Sequence, residues 1–65
     1  MAKIHPSAII EEGAQIADSA EIGPLCWISS KAKIGENVRL LGRVTIMGDT
    51  TIGEGTVVFP GAVLG

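Results

Sequence analysis

Cysteine and histidine each occur once in this 65-residue chain, tyrosine is missing, and the aromatic residues are Trp27 and Phe59 alone. One cysteine cannot form an intramolecular disulfide. One cysteine with one histidine makes no zinc set, and no cofactor or metal is expected. Charge is also scarce. Five basic against seven acidic residues give a net charge of −2 and a pI near 5.1, which leaves no basic footprint for nucleic acid. No apolar run approaches the ~18 residues that a membrane span needs. The opening Met1-Ala2-Lys3-Ile4-His5-Pro6 lacks the apolar core of a signal peptide. A free cysteine without a leader fits the reducing cytoplasm, the expected location. A domain this small buries only about 60% of its unfolded surface. Without a covalent or metal staple it needs a very regular core, self-association, or both.

Glycine, by contrast, is plentiful at nine residues, and hydrophobic residues make up 46% of the chain. The hydrophobic residues are periodic. Every sixth position from Ile4, through Ile10, Ile16, Ile22, Ile28, Ile34, Leu40, Ile46, Ile52 and Val58 to Leu64, is aliphatic. Ile, Leu and Val fill only 18 of the 65 positions, so an unbroken run of this kind is not chance. Two residues earlier runs a second register of small or β-branched residues, including Ala8, Ala14, Ala20, Cys26, Ala32, Val38 and Val44. Between the registers lie pairs such as Glu12-Gly13, Pro24-Leu25, Glu36-Asn37 and Pro60-Gly61, each containing a residue that turns select.

A period of six is no helix period. Short strands whose alternate side chains point inward, separated by two-residue corners, satisfy it. Three strands close a triangular coil of eighteen residues, and coils stack as parallel strands about 4.8 Å apart. The expected fold is an all-β, parallel β-helix of about three and a half coils, one domain spanning 1–65. Its stacked columns are Ile4/Ile22/Leu40/Val58 on face A, Ile10/Ile28/Ile46/Leu64 on face B and Ile16/Ile34/Ile52 on face C. A narrow aliphatic prism has no room for aromatic rings, which accounts for their scarcity.

The repeat resembles the hexapeptide pattern of left-handed β-helix acyltransferases, with its Ile-Gly pairs at Ile22-Gly23, Ile34-Gly35 and Ile52-Gly53. The left hand is implied by that resemblance. Three stretches are similar to the N-terminus of the acyl-carrier-protein–UDP-N-acetylglucosamine O-acyltransferases of lipid A biosynthesis. They are Ile4-His5-Pro6-Ser7-Ala8-Ile9-Ile10 with Glu11-Glu12-Gly13-Ala14, then Ile22-Gly23-Pro24-Leu25-Cys26, and Ile52-Gly53-Glu54-Gly55 through Phe59-Pro60 to Leu64-Gly65. In that family the substrate loop and catalytic histidine lie beyond the stretch represented here. The resemblance therefore implies a non-catalytic N-terminal part of a longer solenoid. Acyl carrier protein and a UDP-sugar are partners only of a full-length parent.

Residue by residue, the chemistry is sparse. His5 would need a partner and a pocket to act as a base; it is expected to be a solvated residue near a turn. Cys26 sits where alanine fills other coils and is expected to be a buried small hydrophobe. Asp18, Glu36 and Glu54 share a corner as solvated carboxylates, without the oxygen cage that a hard cation needs. Lys3, Glu21 and Arg39 alternate in sign up face A. Thr50 and Thr56 are expected inside, and only Thr45 and Thr51 outside on different faces, so there is no ice-binding array. The histidines of a γ-class carbonic anhydrase are missing.

The outward apolar residues carry more information. Leu25, Trp27, Leu41, Met47, Phe59 and Val63 flank one corner and form the expected interface of a homotrimer. The open last coil suggests end-to-end stacking as another mode of self-association. The alternative function is a self-assembling structural solenoid with no enzymatic role.

Overall fold

Residues 2–65 are described by a computed structural model. Eleven short strands follow one another at six-residue intervals: β1 (Lys3–Ile4), β2 (Ile9–Ile10), β3 (Gln15–Ile16), β4 (Glu21–Ile22), β5 (Trp27–Ile28), β6 (Lys33–Ile34), β7 (Arg39–Leu40), β8 (Thr45–Ile46), β9 (Thr51–Ile52), β10 (Val57–Val58) and β11 (Val63–Leu64). They distribute over three parallel sheets in the orders β1-β4-β7-β10, β2-β5-β8-β11 and β3-β6-β9. These are faces A, B and C of the triangular prism that the period implies.

Register follows the hexad phase throughout. Ile4 pairs with Ile22, Ile22 with Leu40 and Leu40 with Val58 on face A. Ile10, Ile28, Ile46 and Leu64 align on face B, and Ile16, Ile34 and Ile52 on face C. The prism winds as the left-handed parallel β-helix that the resemblance implies. The usual right-handed preference arises where a twisted strand feeds a crossover helix. Here the connections are further two-residue strands, and no helix is packed back.

Hydrogen bonds run coil to coil. The N–H groups of Glu21 and Gly23 donate to the carbonyls of Val38 and Leu40, both at 2.8 Å, and those of Trp27 and Ser29 to Val44 and Ile46 at 2.9 and 3.0 Å. Turns close within a coil, for example from the Ala8 N–H to the His5 carbonyl at 2.9 Å. Close stacking leaves no room for a side chain at certain positions. A Cβ at Gly23 would lie 2.7 Å from the carbonyl oxygens of Leu40 and Leu41, and one at Gly35 would lie 2.9 Å from that of Ile52. Glycine is required there by the approach of the next coil.

The core contains both registers. Ile28, Val38, Val44 and Ile46 are fully buried, as are Ala20, Cys26, Ala32 and Leu40 to within 2%. The expectation that all eleven periodic aliphatics are core residues needs correction at the ends. Ile4 is 43% exposed, and Ile10, Ile16 and Leu64 are half-buried. They point inward in register but stand in the first and last coils, each stacked on one side only; Ile52 and Val58, also stacked on one side only, stay buried at 7%. Thr56, in the last coil, lies in solvent, contrary to expectation, while Thr50 is half-buried with its hydroxyl donating to the Met47 carbonyl at 2.7 Å. No helix among the described residues is long and apolar enough to cross a membrane.

Position along the axis should therefore decide the cost of truncation. Ile28→Ala is expected to lower unfolding free energy by about 3 kcal/mol and Ile4→Ala by less than about 1 kcal/mol, although both belong to one register. Urea denaturation of the two variants measures the difference.

Candidate functional site

The prism turns every side chain either inward to the core or outward, so any site must be built from the outward positions and the corners. Three groupings on this outer surface have chemical character.

The first is at the start of the chain. His5 and Ser7 flank Pro6 in the A/B corner, and the turn brings the Ser7 hydroxyl to 2.8 Å and the Ser7 N–H to 3.1 Å from His5 Nδ1. The Ser7 backbone N–H donates to Nδ1, which accepts in this turn. The Ser7 oxygen in turn accepts the N–H of Leu25, one coil above, at 3.0 Å. A serine beside a histidine invites comparison with nucleophilic catalysis. Here, however, the serine oxygen is engaged by a backbone donor, the whole group is exposed, and no third group among the described residues orients the ring. It is a clasp between two coils. The His-x-Ser spacing across a turn was the only sequence signal for it.

The second grouping is the C/A corner. Asp18, Glu36 and Glu54 are exposed there. Glu36 accepts the hydroxyl of Ser19, whose oxygen accepts the Asn37 N–H at 2.8 Å. No three His, Cys, Asp or Glu side chains converge as a metal site among the described residues. On adjoining face A, Glu21 pairs with Arg39 at 3.7 Å, with both side chains about half exposed. A contact of that kind contributes a few tenths of a kcal/mol (~0.3). Cys26 is buried and free. Ser29, which the periodicity places outward, is buried instead because its hydroxyl turns to the Gly48 carbonyl at 2.7 Å.

The third and most extensive grouping is apolar. Leu25, Met47, Phe59 and Val63 are 59%, 48%, 70% and 66% exposed, Leu41 is 40% exposed, and Trp27 is half-buried. Ile9, Trp27, Thr45 and Val63 align in one column by the register of face B, with Met47 next to β8. Leu41 and Phe59 follow β7 and β10 on face A. Leu25 stands on the corner between the two faces with φ at +59°. Pro24-Leu25 occupies the same turn as Pro60-Gly61, and a type II turn wants glycine second because φ there is positive. A bulky leucine held in that conformation, with its side chain in water, is the least expected residue of the surface.

Comparison with known proteins follows the repeat. The family model described as "Bacterial transferase hexapeptide (six repeats)" matches residues 31–65. An acyl-[acyl-carrier-protein]–UDP-N-acetylglucosamine O-acyltransferase of Mesorhizobium japonicum is 55% identical over 62 residues, covering 95% of this chain and 22% of its own length. A protein of the same description from Bartonella tribocorum is 56% identical over 63 residues, covering 97% and 23%. The solved UDP-N-acetylglucosamine acyltransferase from Campylobacter jejuni superposes with a TM-score of 0.94 at 49% identity, over 97% of this chain and 25% of that one. The chain thus spans about a quarter or less of the length of these relatives.

The strained corner has a measurable consequence. Leu25→Gly removes the steric penalty of the left-handed conformation, about 1 kcal/mol, and keeps the N–H bonded to Ser7. The thermal midpoint is expected to rise by about 4–8 °C. A fall would mean that the leucine side chain packs within the chain itself.

Proposed function

The chain belongs to the bacterial transferase hexapeptide family, and on that premise we propose that it forms the N-terminal coils of an acyltransferase acting on UDP-N-acetylglucosamine. The observation that carries this reading is the 49% identity and 0.94 TM-score over 97% of the chain to a quarter of a solved enzyme of that description. The parent would take its acyl group from acyl carrier protein, as the names of the relatives state for them. In that parent the present residues start the solenoid and hold no group that touches a reacting atom. His5 is committed to Ser7, Cys26 is buried, and the carboxylates stand exposed on a corner. Transfer itself belongs to the remaining three quarters of such an enzyme. The parent is assigned to the cytoplasm, where a free thiol such as Cys26 stays reduced.

The contribution of this segment is then a surface. Leu25, Trp27, Leu41, Met47, Phe59 and Val63 give the A/B corner an apolar side that a soluble monomer seldom leaves uncovered. We assign it to lateral association of three prisms, each burying this corner against its neighbours. Trp27 is the anchor: a large ring, half-buried already at the centre of its column, is the residue type on which interfaces most depend.

Transplantation tests the reading. Replacing the matching N-terminal quarter of the Campylobacter jejuni enzyme with these 65 residues should give a chimaera that is soluble and transfers acyl groups to UDP-N-acetylglucosamine. An insoluble or inactive chimaera would contradict the assignment. The 65-residue chain alone should show no transfer, with His5 or with His5→Ala. In the chimaera, Trp27→Glu should reduce the trimer to monomers on size-exclusion chromatography with light scattering. An unchanged mass would remove face B from the interface.

A further inference from the structure

Trp27 has a complement in shape on this same chain. On face A the outward column nearest the A/B corner holds His5, Gly23, Leu41 and Phe59, each directly following its strand. On face B the column nearest that corner holds Ile9, Trp27, Thr45 and Val63, each opening its strand. The first column has a gap. Stacking forbids a side chain at Gly23, where a Cβ would lie 2.7 Å from the carbonyl oxygens of Leu40 and Leu41. Between His5 and Leu41 this leaves a groove of about 530 Å³, bordered by Glu21 and Arg39. The second column carries its largest residue in the same coil, four positions past the gap. That residue, Trp27, is one of the two aromatic residues of the chain.

Symmetry decides which columns meet. Three copies around an axis parallel to the prisms, each with its A/B corner inward, bring face A of one copy against face B of the next. A triangular corner is narrower than its third of the circle, so the two faces diverge outward and touch near the corner. The columns that touch are the two that contain Gly23 and Trp27. Rotation alone shifts no copy along the axis, so height within the coil fixes the pairing. A coil rises by about 4.8 Å, which puts Trp27 about 1 Å above Gly23 and about 4 Å below Leu41. Each face A residue therefore meets the residue four positions later in the neighbouring copy. His5 meets Ile9, Gly23 meets Trp27, Leu41 meets Thr45 and Phe59 meets Val63. Bulk is matched along this row: the missing side chain faces the indole, leucine faces the smaller threonine, and two exposed apolar side chains face each other.

We propose that the indole of Trp27 seats in the Gly23 groove of the neighbouring copy, between that copy's His5 and Leu41, and that this contact sets the axial register of the trimer. The proposal rests on the lateral association assigned above and adds which surface of the neighbour each side chain meets. Gly23 then serves two contacts. Within its own prism it admits the next coil, and toward the neighbour it admits a ring. A closely packed interface needs both halves, since an unfilled groove forfeits contact and a ring against a side chain overpacks.

Moving the knob one coil along the axis tests the pairing. In the 65-residue chain, Thr45→Trp sets a second indole against the neighbour's Leu41, and the mass in light scattering should fall about threefold, from trimer to monomer. Adding Leu41→Gly opens the matching hole and should restore the trimer, whereas adding Phe59→Gly, one coil away, should not. Far-UV circular dichroism, unchanged in each variant, reports that the prism itself is intact. Milder substitutions give a second reading. In a Cys26→Ala background, Leu41→Cys with Thr45→Cys should oxidise to a covalent ring of three, while either substitution alone should leave single chains. A trimer that survives Thr45→Trp, one that Leu41→Gly fails to restore, or a covalent dimer from Leu41→Cys alone would overturn the pairing and leave the lateral association standing. A monomeric unsubstituted chain would overturn both.

Discussion

Each coil of this molecule depends on the coil next to it. Eighteen residues bent into a triangle enclose too little to form a core. Ile28 and Ile46 are wholly buried, and Ile4 is 43% exposed, although all three point inward from the same hexad position. Ile28 and Ile46 have a strand on both sides in their sheet and Ile4 on one, while Ile52 and Val58, at the other end, stay buried with a strand on one side. Backbone hydrogen bonds, aliphatic columns and the glycines at 23 and 35 all express that one dependence. It is the nearest-neighbour logic of solenoid repeats.

The same dependence explains how much could be read from the sequence. Strict spacing fixes which residues point inward, so faces, columns and register follow from counting, and the eleven strands fall where the period places them. Burial at the ends does not follow, because a period says nothing about what lies beyond the first and last repeat. Corners were legible as turns but not in detail. Pro24-Leu25 carries the signal of a turn with positive φ, yet nothing local says that leucine would be tolerated where Pro60 is followed by glycine. The clasp of His5, Ser7 and Leu25 joins residues eighteen apart through a serine hydroxyl, a choice that any polar corner residue could have made. Ser29 escaped for the same reason: its outward register was overridden by one hydrogen bond to Gly48.

Function lies on the surface that the period leaves free. Inward positions are constrained to small or branched apolar residues, whereas outward positions accept anything. Apolar side chains at Leu25, Trp27, Leu41, Met47, Phe59 and Val63 are therefore not required by the fold. Leu25 is kept even against its backbone preference. Such residues point to contacts outside the single prism, and the lateral association proposed above is one that would cover them.

If neighbour stacking is the source of stability, adding a coil in phase must add to it. Duplicating residues 21–38 inserts one whole coil without shifting any later strand to a different face. The urea midpoint of that longer chain, measured beside the original under the same conditions, should rise, because one more coil is covered on both sides. An unchanged or lower midpoint would contradict the dependence of each coil on its neighbours.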